Sequence, residues 1–359
     1  SGILFDRGKK IHRKQMQKKQ FEPIDLVIVN FYPFESMIKK TLNKNKIIEN
    51  IDIGGPSMVR AAAKNLKDVT IITDKKDYLK LIKELNKFKG RTSFNFRKKM
   101  ASKAFSLTAY YDAVVSEWFN RDIGIEFPER KTFFGKKISQ LRYGENPHQK
   151  SSIYINSLKN DDINLKHING KELSYNNYND IFSSLDILFS NLNSPSTVIT
   201  KHANPCGVSS NKSAFQSFLN AQASDPISAF GGIVACNYKI NNKIAKEITK
   251  TFFEVILAKG FDNKALRILK KKKNMRLIDI SNFSYESKTS GKFFDNAFLL
   301  QERDNIVFNK KKLRCMTKNK PSSKELKDIE FAFKVCKYVK SNAIVIVKDN
   351  STIGIGAGQ

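Results

Sequence analysis

A lysine and a histidine stand next to each other at Lys201 and His202, directly after the apolar run of residues 195–200. Histidine ordinarily titrates at a pKa of about 6.5, so a neutral imidazole can accept a proton near neutral pH. A lysine ammonium can donate a proton or stabilise developing negative charge. The order predicts two proton-handling groups at the end of a strand. We expect Pro205 and Gly207, which follow shortly, to form the turn that fixes their direction.

Cys206 lies close to this pair and could act as a nucleophile or metal ligand, although packing in a tight turn is the favoured interpretation. The four cysteines are widely spaced and form no CxxC pair, so we expect reduced thiols rather than a zinc ribbon or disulfide framework. Zinc-dependent deaminases carry HxE and PCxxC, and His202 begins no HxE motif while position 209 is Ser209. We therefore predict no metal site.

A second set of residues precedes and follows a predicted helix in the first half of the chain. Gly54 and Gly55 come directly before a proline, which suits the first turn of a helix. Free N–H groups at such a helix start favour a phosphate or carboxylate. If Asp52 and Lys64 converge with Tyr32, they supply a proton acceptor, a cation and a phenolic donor, which is adequate for closing a ring onto a carbonyl. A solvated helix face is an equally open interpretation of Lys64.

Two further segments could hold a substrate. In LRYGENPHQ, residues 141–149, Arg142 can grip a phosphate with two parallel hydrogen bonds and Tyr143 can stack or donate. His148 in the same loop is expected to be structural rather than catalytic. Phe230 and Gly231 begin a stretch in which the backbone can approach a planar ligand closely, or in which the glycines mark a bulge.

The elements that must position these residues alternate between strands and helices, which predicts α/β layers. In the first part we expect strands at 24–30 and 69–73, each buried on both faces, and helices after the Gly-Gly-Pro segment and at 75–88 and 94–120. In the second part we expect strands at 196–200, 230–236, 254–258 and 343–347, and helices at 179–191, 213–223, 242–252, 264–273 and 323–339.

The pattern loosens at residues 121–137, and a new series of strands and loops begins at Ile138. We therefore divide the chain into residues 1–130 and residues 131–359. A length of 359 residues allows two or three domains, and an apolar fraction of 40% is typical of a globular protein.

The formal net charge of +30 first suggests nucleic acid as a partner. The lysines are scattered through every segment, however, and aromatic residues do not interleave with the dense runs as stacking platforms would. We expect no specific nucleic-acid binding; a non-enzymatic polyanion-binding protein remains the alternative. No apolar run approaches the ~18 residues that span a bilayer, and the first residues lack the order of a signal peptide, so we expect a cytoplasmic protein without a membrane partner.

Seven motifs together resemble the bifunctional purine biosynthesis family that performs the last two steps to inosine monophosphate. They are, in chain order, VNFYPF, ENIDIGGPSMVRAAAKN, LRYGENPHQ, KELSYNNYND, KHANPCGV, SAFGGIVA and SNAIVIVKDNSTIGIGAGQ. The resemblance runs nearly end to end. It implies the C-terminal part of a methylglyoxal-synthase-like α/β cyclohydrolase domain in residues 1–130, followed by the N-terminal part of a cytidine-deaminase-like α/β formyltransferase domain in residues 131–359.

The resemblance also implies the chemistry. The formyl group of 10-formyltetrahydrofolate, the cosubstrate, passes to 5-aminoimidazole-4-carboxamide ribonucleotide, and the formylated product then closes to inosine monophosphate. The implied transfer pair is Lys201 and His202 with Asn342 nearby, and the implied cyclohydrolase residues are Tyr32, Asp52 and Lys64. The implied substrate-binding residues are Arg142, Tyr143, Phe230, Gly231, Glu254, Gly54 and Gly55.

The chain departs from the family in several ways. Leu107 stands in Ser106-Leu107-Thr108 where the family commonly has a histidine before the threonine. The chain opens without methionine at a segment that the family shows after its first strands, and we expect a fragment that lacks both termini and whose own activity is open. A homologue that keeps only one of the two activities is a further alternative. The family resemblance implies a homodimer.

Overall fold

The computed structural model describes residues 2–156, 158, 162–190, 192, 194–284, 289–306 and 308–358. The chain forms two compact units. Unit 1 comprises Ser1–Lys136 and Tyr154–Asp161, and unit 2 comprises Lys137–Ile153 and Asp162–Gln359. Both units mix helices with strands, and unit 2 contains a large sheet, so the α/β prediction is confirmed at this level. Among the described residues, no helix is long and apolar enough to cross a membrane.

Unit 1 is mainly helical. In chain order its elements are α1 (Lys10–Lys18), β1 (Leu26–Ile28), α2 (Phe34–Lys40), α3 (Lys44–Glu49), α4 (Gly54–Lys64), β2 (Thr70–Ile72), α5 (Tyr78–Lys87) and α6 (Phe94–Asp122). Short 3-10 turns occupy Gly2–Leu4 and Lys75–Asp77. The predicted helices at 75–88 and 94–120 are therefore confirmed with small shifts at their ends.

The two strands of unit 1 pair in parallel. Strand β2 is buried throughout, as predicted, and its Ile71 packs with Val59 of α4 and Met100 of α6. In β1 only Val27 reaches this core, while Leu26 and Ile28 are 37% and 47% exposed. The prediction that β1 is buried on both faces was therefore wrong. Successive side chains of a strand point to opposite faces, and the core covers only one face of β1.

Helix α6 owes its position to a small-residue face. Ser93 caps its first turn by accepting the N–H of Phe96 at 3.2 Å, and Ala101 and Ala104 are buried against the unit 1 core. Leu107, at the position of the family's histidine, lies half-buried in this helix. The neighbouring Thr108 is buried and donates its hydroxyl to the helix backbone, so this stretch packs as ordinary helix interior.

Unit 2 contains most of the paired strands β3 (Lys136–Leu141) and β4 (Ser151–Ile155). Its next elements are β5 (Lys166–Asn169), α7 (Tyr175–Leu188), β6 (Ser196–Lys201), β7 (Asn204–Ser210), α8 (Ala214–Ser224), α9 (Pro226–Ala229), β8 (Ile233–Cys236), α10 (Asn242–Ile248), β9 (Val255–Ala258), α11 (Asn263–Leu269) and β10 (Arg276–Asp279). The last are the paired strands β11 (Thr289–Phe293) and β12 (Phe298–Glu302), a 3-10 turn at Lys310–Lys312, α12 (Ser323–Cys336), β13 (Ile344–Lys348) and β14 (Ser351–Gly356).

All the helices and strands predicted for unit 2 occur, with shifted ends. Helix α7 begins four residues earlier than predicted, and the predicted end at Asn191 lies outside the described residues. Eight strands form one sheet in the order β13-β14-β7-β6-β8-β9-β10-β5. Strands β8, β9 and β10 are parallel to one another, whereas β6 runs antiparallel to both β7 and β8.

Two apolar cores cover the two faces of this sheet. One includes Ile244 of α10 and Leu269 of α11, and the other includes Leu185 of α7 and Val335 of α12. Helix α8 lies directly on β7: a Cβ atom added to Gly207 would stand 1.8 Å from the carbonyl oxygen of Ala221. Only glycine allows this backbone contact.

Candidate active site

The corner between β6 and β7 carries the lysine and histidine singled out in the sequence. Lys201 pairs with Asn204, so the corner consists of the two residues between them. His202 and Ala203 have φ of +54° and +59°, the left-handed region that two-residue hairpins of type I′ require. The prediction that Pro205 and Gly207 form the turn was wrong, because both lie within β7. The chain has already reversed its direction at His202 and Ala203, before it reaches the proline. Gly207 instead allows helix α8 to approach the strand closely.

Lys201 is half-buried, and its Nζ donates a 2.9 Å hydrogen bond to the carbonyl oxygen of Phe230. The next residue, Gly231, has φ of +77°, which only glycine adopts without strain, and its N–H donates to the carbonyl oxygen of Phe252 at 2.8 Å. The ring of Phe230 is 57% exposed and lies 5.5 Å from that of Phe252 between centroids. An exposed aromatic pair therefore lies beside the lysine. Phe252 was not among the predicted site residues. It stands next to Phe253, which is buried in the core, and the sequence alone does not show which of the two phenylalanines is exposed.

Strand direction explains why these residues meet. Because β6 is antiparallel to β8, the carboxyl end of β6, which bears Lys201, lies at the same edge of the sheet as the amino end of β8. Strand β9 is parallel to β8, so Glu254, directly before β9, lies at that edge too. The N–H of Glu254 donates to the carbonyl oxygen of Gly232 at 3.0 Å. The structure therefore brings Lys201, His202, Phe230, Gly231 and Glu254 to one edge.

Helix α7 packs against β6 and β8 beside this edge of the sheet. Its first turn is held by a capping box, in which Ser174 and Asn177 each accept the backbone N–H of the other. The side-chain amide of Asn177 also donates to Oε2 of Glu254 at 2.8 Å. Arg276 lies 3.9 Å from the same carboxylate oxygen, a long and partly solvated ion pair.

Asp180, one turn further along α7, reaches the His202–Ala203 corner. Its Oδ1 accepts the N–H of Ala203 at 2.7 Å. Burial raises the pKa of Asp180 above its ordinary value, and the N–H of Ala203 and the nearby His202 partly offset this effect. Sequence reasoning missed Asp180, which stands 23 residues before Ala203 in the motif KELSYNNYND. The helical spacing of three residues from Asn177 was the one signal that could have placed both side chains on the same face.

Cys206 is half-buried in β7. Burial raises the pKa of its thiol to about 11, a shift that the nearby carboxylate of Asp225 increases and Lys201 opposes. A thiol with such a pKa is protonated near neutral pH and is a poor nucleophile, which favours the packing interpretation. Within the described residues, no three His, Cys, Asp or Glu side chains form a group that could hold a metal ion.

The loop after β3 carries the predicted phosphate-binding residues. Arg142 is exposed, with its guanidinium 5.7 Å from the ring centre of Tyr143. The loop is held shut by a 2.8 Å hydrogen bond from the N–H of Gly144 to the carbonyl oxygen of Gln149. Asn176, in the first turn of α7, donates to the carbonyl oxygen of Glu145 at 3.2 Å. This contact anchors the loop beside the turn that supports Glu254. His148 is exposed in the same loop.

Asn342 lies two residues before β13 and is exposed. The alternating directions of β6, β7, β14 and β13 put the start of β13 at the same edge of the sheet as Lys201. Three strand spacings separate β13 from β6, which amounts to about 14 Å across the sheet. The fold therefore places Asn342 at the same edge of the sheet as Lys201 but away from the His202–Ala203 corner.

In unit 1, Asp52 is buried and anchors the start of α4. Its Oδ1 accepts the N–H of Gly55 at 2.7 Å, and its Oδ2 accepts the N–H of Tyr32 at 3.2 Å. A side chain on Gly55 would collide with this carboxylate, since an added Cβ would stand 2.4 Å from Oδ2. The hydroxyl of Tyr111 accepts the N–H of Asp52 at 2.8 Å. The structure thus brings Tyr32, Asp52, Gly54 and Gly55 together.

Lys64 lies apart from this group. It is the last residue of α4 and is exposed, ten residues after Gly54. At 1.5 Å per residue, the two ends of the helix are about 15 Å apart. Tyr32 is 58% exposed and so is open to a ligand, and its backbone N–H is bonded to Asp52, at the other end of the helix from the lysine. The assignment of Lys64 to the cyclohydrolase site stays a prediction.

Residues 62–359 match the family described as the AICARFT/IMPCHase bienzyme. The chain belongs to this family. It is 44% identical over 360 residues to the bifunctional purine biosynthesis protein PurH of Thermoanaerobacter sp. (strain X514), which covers 100% of this chain and 70% of that protein. PurH of Bradyrhizobium diazoefficiens is 42% identical, covering 100% and 68%, and PurH of Persephonella marina is 44% identical, covering 100% and 70%.

A solved structure, the crystal structure of ForH, is 32% identical and covers 33% of this chain and 62% of that chain, with a TM-score of 0.29. The predicted membership of the bifunctional purine biosynthesis family is confirmed by the family match and by the PurH relatives. The relatives are named bifunctional and the family is described as a bienzyme, so both names refer to two activities in one protein.

Proposed function

We propose that this protein catalyses the last two steps to inosine monophosphate. In the first step a formyl group passes from 10-formyltetrahydrofolate to the amine of 5-aminoimidazole-4-carboxamide ribonucleotide. In the second step the formylated nucleotide closes its second ring and loses water. The observation that carries the proposal is the hydrogen-bonded cluster at one edge of the unit 2 sheet, where Lys201 touches Phe230 and His202 stands beside it.

The amine of the substrate is a poor nucleophile, because its lone pair is delocalised into the imidazole and carboxamide. Its attack on the formyl carbon therefore needs a base for the N–H proton and a cation for the oxyanion. His202, exposed at the corner, takes the proton, and Lys201 stabilises the oxyanion. The tetrahedral intermediate then breaks its bond to N10 of the folate, which leaves as tetrahydrofolate after it receives a proton.

The contact between Lys201 and Phe230 supports this division of roles. An ammonium has three N–H donors, and the carbonyl oxygen of Phe230 uses one of them. The carbonyl fixes the direction of Nζ and leaves the remaining donors for the oxyanion. The exposed rings of Phe230 and Phe252 offer an apolar surface to a planar substrate, and Glu254 lies beside them to accept hydrogen bonds.

The start of α4 is the proposed site of ring closure. Here the carboxamide nitrogen attacks the new formyl carbon, and the oxygen of that carbon leaves as water. The positive end of the α4 dipole suits the phosphate of the nucleotide, although the N–H of Gly55 is already donated to Asp52. Asp52 uses both carboxylate oxygens to hold the backbones of Tyr32 and Gly55, so we assign it the positioning of the exposed Tyr32 ring. Lys64 stays the proposed cation of the set, although it lies at the other end of α4, about 15 Å from the helix start.

The finer architecture follows the same proposal. Residues 1–130 correspond to a methylglyoxal-synthase-like cyclohydrolase domain, and residues 131–359 to a formyltransferase domain of cytidine-deaminase-like units. We propose a homodimer that acts in the cytoplasm on nucleotide and folate substrates and binds neither nucleic acid nor membrane specifically.

The transfer step is tested with purified protein, the ribonucleotide and 10-formyltetrahydrofolate. His202→Ala should abolish formyl transfer and still close the ring of supplied formylated nucleotide. His148→Ala, which removes an exposed histidine of the Arg142 loop, is the matched control and should keep both activities. Equal loss of both activities in His202→Ala would overturn the division of roles.

Nucleotide binding separates the enzyme from a polyanion-binding protein. Saturable binding of the ribonucleotide that resists salt and is lost in Arg142→Ala supports the proposal. Tight binding of random nucleic acid that weakens steeply with salt, without nucleotide binding, contradicts it. A protein that performs only one of the two steps would restrict the proposal to that step.

A further inference from the structure

The corner that carries His202 has a backbone that its sequence does not favour. A two-residue corner with positive φ at both positions is ordinarily built from Asn-Gly or Asp-Gly. Here the residues are His202 and Ala203, at +54° and +59°. A side chain in this region brings Cβ close to the following carbonyl oxygen, so both residues are strained. Such strain persists only where neighbouring groups hold the backbone, and it concentrates at functional sites.

Asp180 is the neighbour in position to hold it. Its carboxylate accepts the N–H of Ala203 at 2.7 Å, in the middle of the strained pair. Among the described residues, no lysine or arginine forms an ion pair with this carboxylate. Burial raises the pKa of Asp180, so the surroundings disfavour its charge. A half-buried carboxylate without a salt bridge lowers the stability of the protein. The contact that this carboxylate makes is its hydrogen bond to the His202–Ala203 corner.

The carboxylate is itself held in place by a rigid element. Helix α7 is fixed at its start by the capping box and by the bond from Asn177 to Glu254. Ile181 and Leu185, on the following turns, are fully buried in the unit 2 core. A group on such a helix can position a neighbouring backbone closely. Helix α7 therefore connects Glu254 on one side of the site with the His202 corner on the other.

We propose that Asp180 is a positioning residue for formyl transfer, whose carboxylate holds the His202–Ala203 corner in its left-handed backbone and so directs Lys201 and His202 toward the substrate. The inference rests on the proposed function for its catalytic consequence. It predicts that removing the carboxylate relaxes the corner and displaces both side chains. Displacement of a reacting group by about 1 Å can cost about 100-fold in rate.

The test uses the purified protein and four variants. Asp180→Ala should lower kcat of formyl transfer by about 100-fold, with KM for the nucleotide within about threefold, since the carboxylate contacts the corner rather than the nucleotide. Adding Ala203→Gly to Asp180→Ala should restore at least about tenfold, because glycine adopts positive φ without help. Asp180→Asn keeps an acceptor oxygen and should stay within about fivefold of the unaltered protein. Asp186→Ala, on the same helix and paired with Arg303, is the matched control and should stay within about twofold.

A second measurement does not depend on activity. Hydrogen exchange at the amide of Ala203 should speed up at least about tenfold in Asp180→Ala and stay unchanged in Asp186→Ala. The inference is overturned if this exchange does not change, if glycine at 203 restores nothing, or if Asp180→Asn is as impaired as Asp180→Ala. Should Asp180→Ala fail to fold, Asp180→Asn decides the outcome alone: a loss of formyl transfer of about 100-fold in this variant, which keeps the acceptor oxygen, would overturn the inference. A protein without transferase activity would refute the proposed function, while the exchange measurement would still decide whether Asp180 holds the corner.

Discussion

The side-chain amide of Asn177 donates a 2.8 Å hydrogen bond to Oε2 of Glu254. This bond joins the first turn of α7 to the residue before β9, two segments that lie 77 residues apart in the chain. The same asparagine accepts the N–H of Ser174 through its side-chain oxygen. One buried amide therefore serves as helix cap and as support for a carboxylate of the candidate active site.

Removing this amide should cost stability. Asn177→Ala loses the reciprocal cap and the bond to Glu254, and we expect the free energy of unfolding to fall by about 1–3 kcal/mol. Urea denaturation followed by circular dichroism measures the change. Asn179→Ala removes an exposed asparagine of the same helix and should change the free energy by less than about 0.5 kcal/mol. Equal effects of the two variants would show that the cap contributes nothing specific.

Asp52 should prove structural as well as functional. Asp52→Ala leaves the N–H groups of Gly55 and Tyr32 without their acceptor, so we expect a loss of about 2 kcal/mol in the free energy of unfolding. Asp52→Asn keeps an acceptor and should lose about half as much. Asp112→Ala, which alters an exposed residue of α6, is the control for thermal and urea unfolding. Full stability in Asp52→Ala would contradict the anchoring role.

Asp77 should make unit 1 sensitive to acid. Its side chain is 2% exposed and bonds Lys80 and Lys103. Burial alone would raise the pKa of Asp77, but the bonds from Lys103 and Lys80 outweigh it and hold the pKa below its ordinary 3.8. A lowered pKa in the folded protein means stability that is present above pH 3.8 and is lost as the pH falls further.

We therefore expect Asp77→Asn to lower the free energy of unfolding by about 1–2 kcal/mol at pH 7, a moderate value because both lysines are partly exposed. The difference from the unaltered protein should shrink as the pH falls below 3.8. Unfolding curves recorded between neutral and acidic pH measure it. Asp25→Asn, at a position 76% exposed, should show no such dependence. A difference that grows in acid would have the wrong sign for this account.

The cysteines should differ sharply in reactivity. Burial raises the pKa of Cys206 to about 11 and that of Cys236 to about 12, so both remain thiols at pH 8. Cys315 is exposed. Brief treatment with iodoacetamide followed by peptide mass spectrometry should find Cys315 modified first and Cys206 and Cys236 protected. Rapid modification of Cys206 would reopen its interpretation as a nucleophile.

Periodicity predicted the buried strands and most helices, because an apolar run such as Ile256 and its neighbours is stable only in the interior of a fold. Strand β7 was missed for the opposite reason. Pro205 and Gly207 carry strong local turn signals, but pairing with β6 and the close approach of Ala221 override them. Strand β14, which contains Gly354 and Gly356, was missed in the same way.

The candidate site was predictable where its residues lie within the quoted motifs. Lys201, Phe230 and Glu254 meet because β6 and β8 are antiparallel, and strand direction leaves no trace in local sequence. Asp180 was missed because it bonds a backbone N–H. Since almost any residue type offers that group, the identity of Ala203 gives no sign of the contact. Lys64 was grouped with Asp52 although the length of α4 separates them.

The contact of Gly207 with Ala221 has a mechanical consequence. At Gly207 no side chain separates β7 from α8, so a shift of the strand toward the helix at this point would bring the two backbones into collision. Strand β7, which follows His202 in the hairpin, is therefore held closely against α8 on this side of the site. On the opposite side of the site Gly231 has more room, since an added Cβ there would meet only the ring of Phe252, at 3.9 Å.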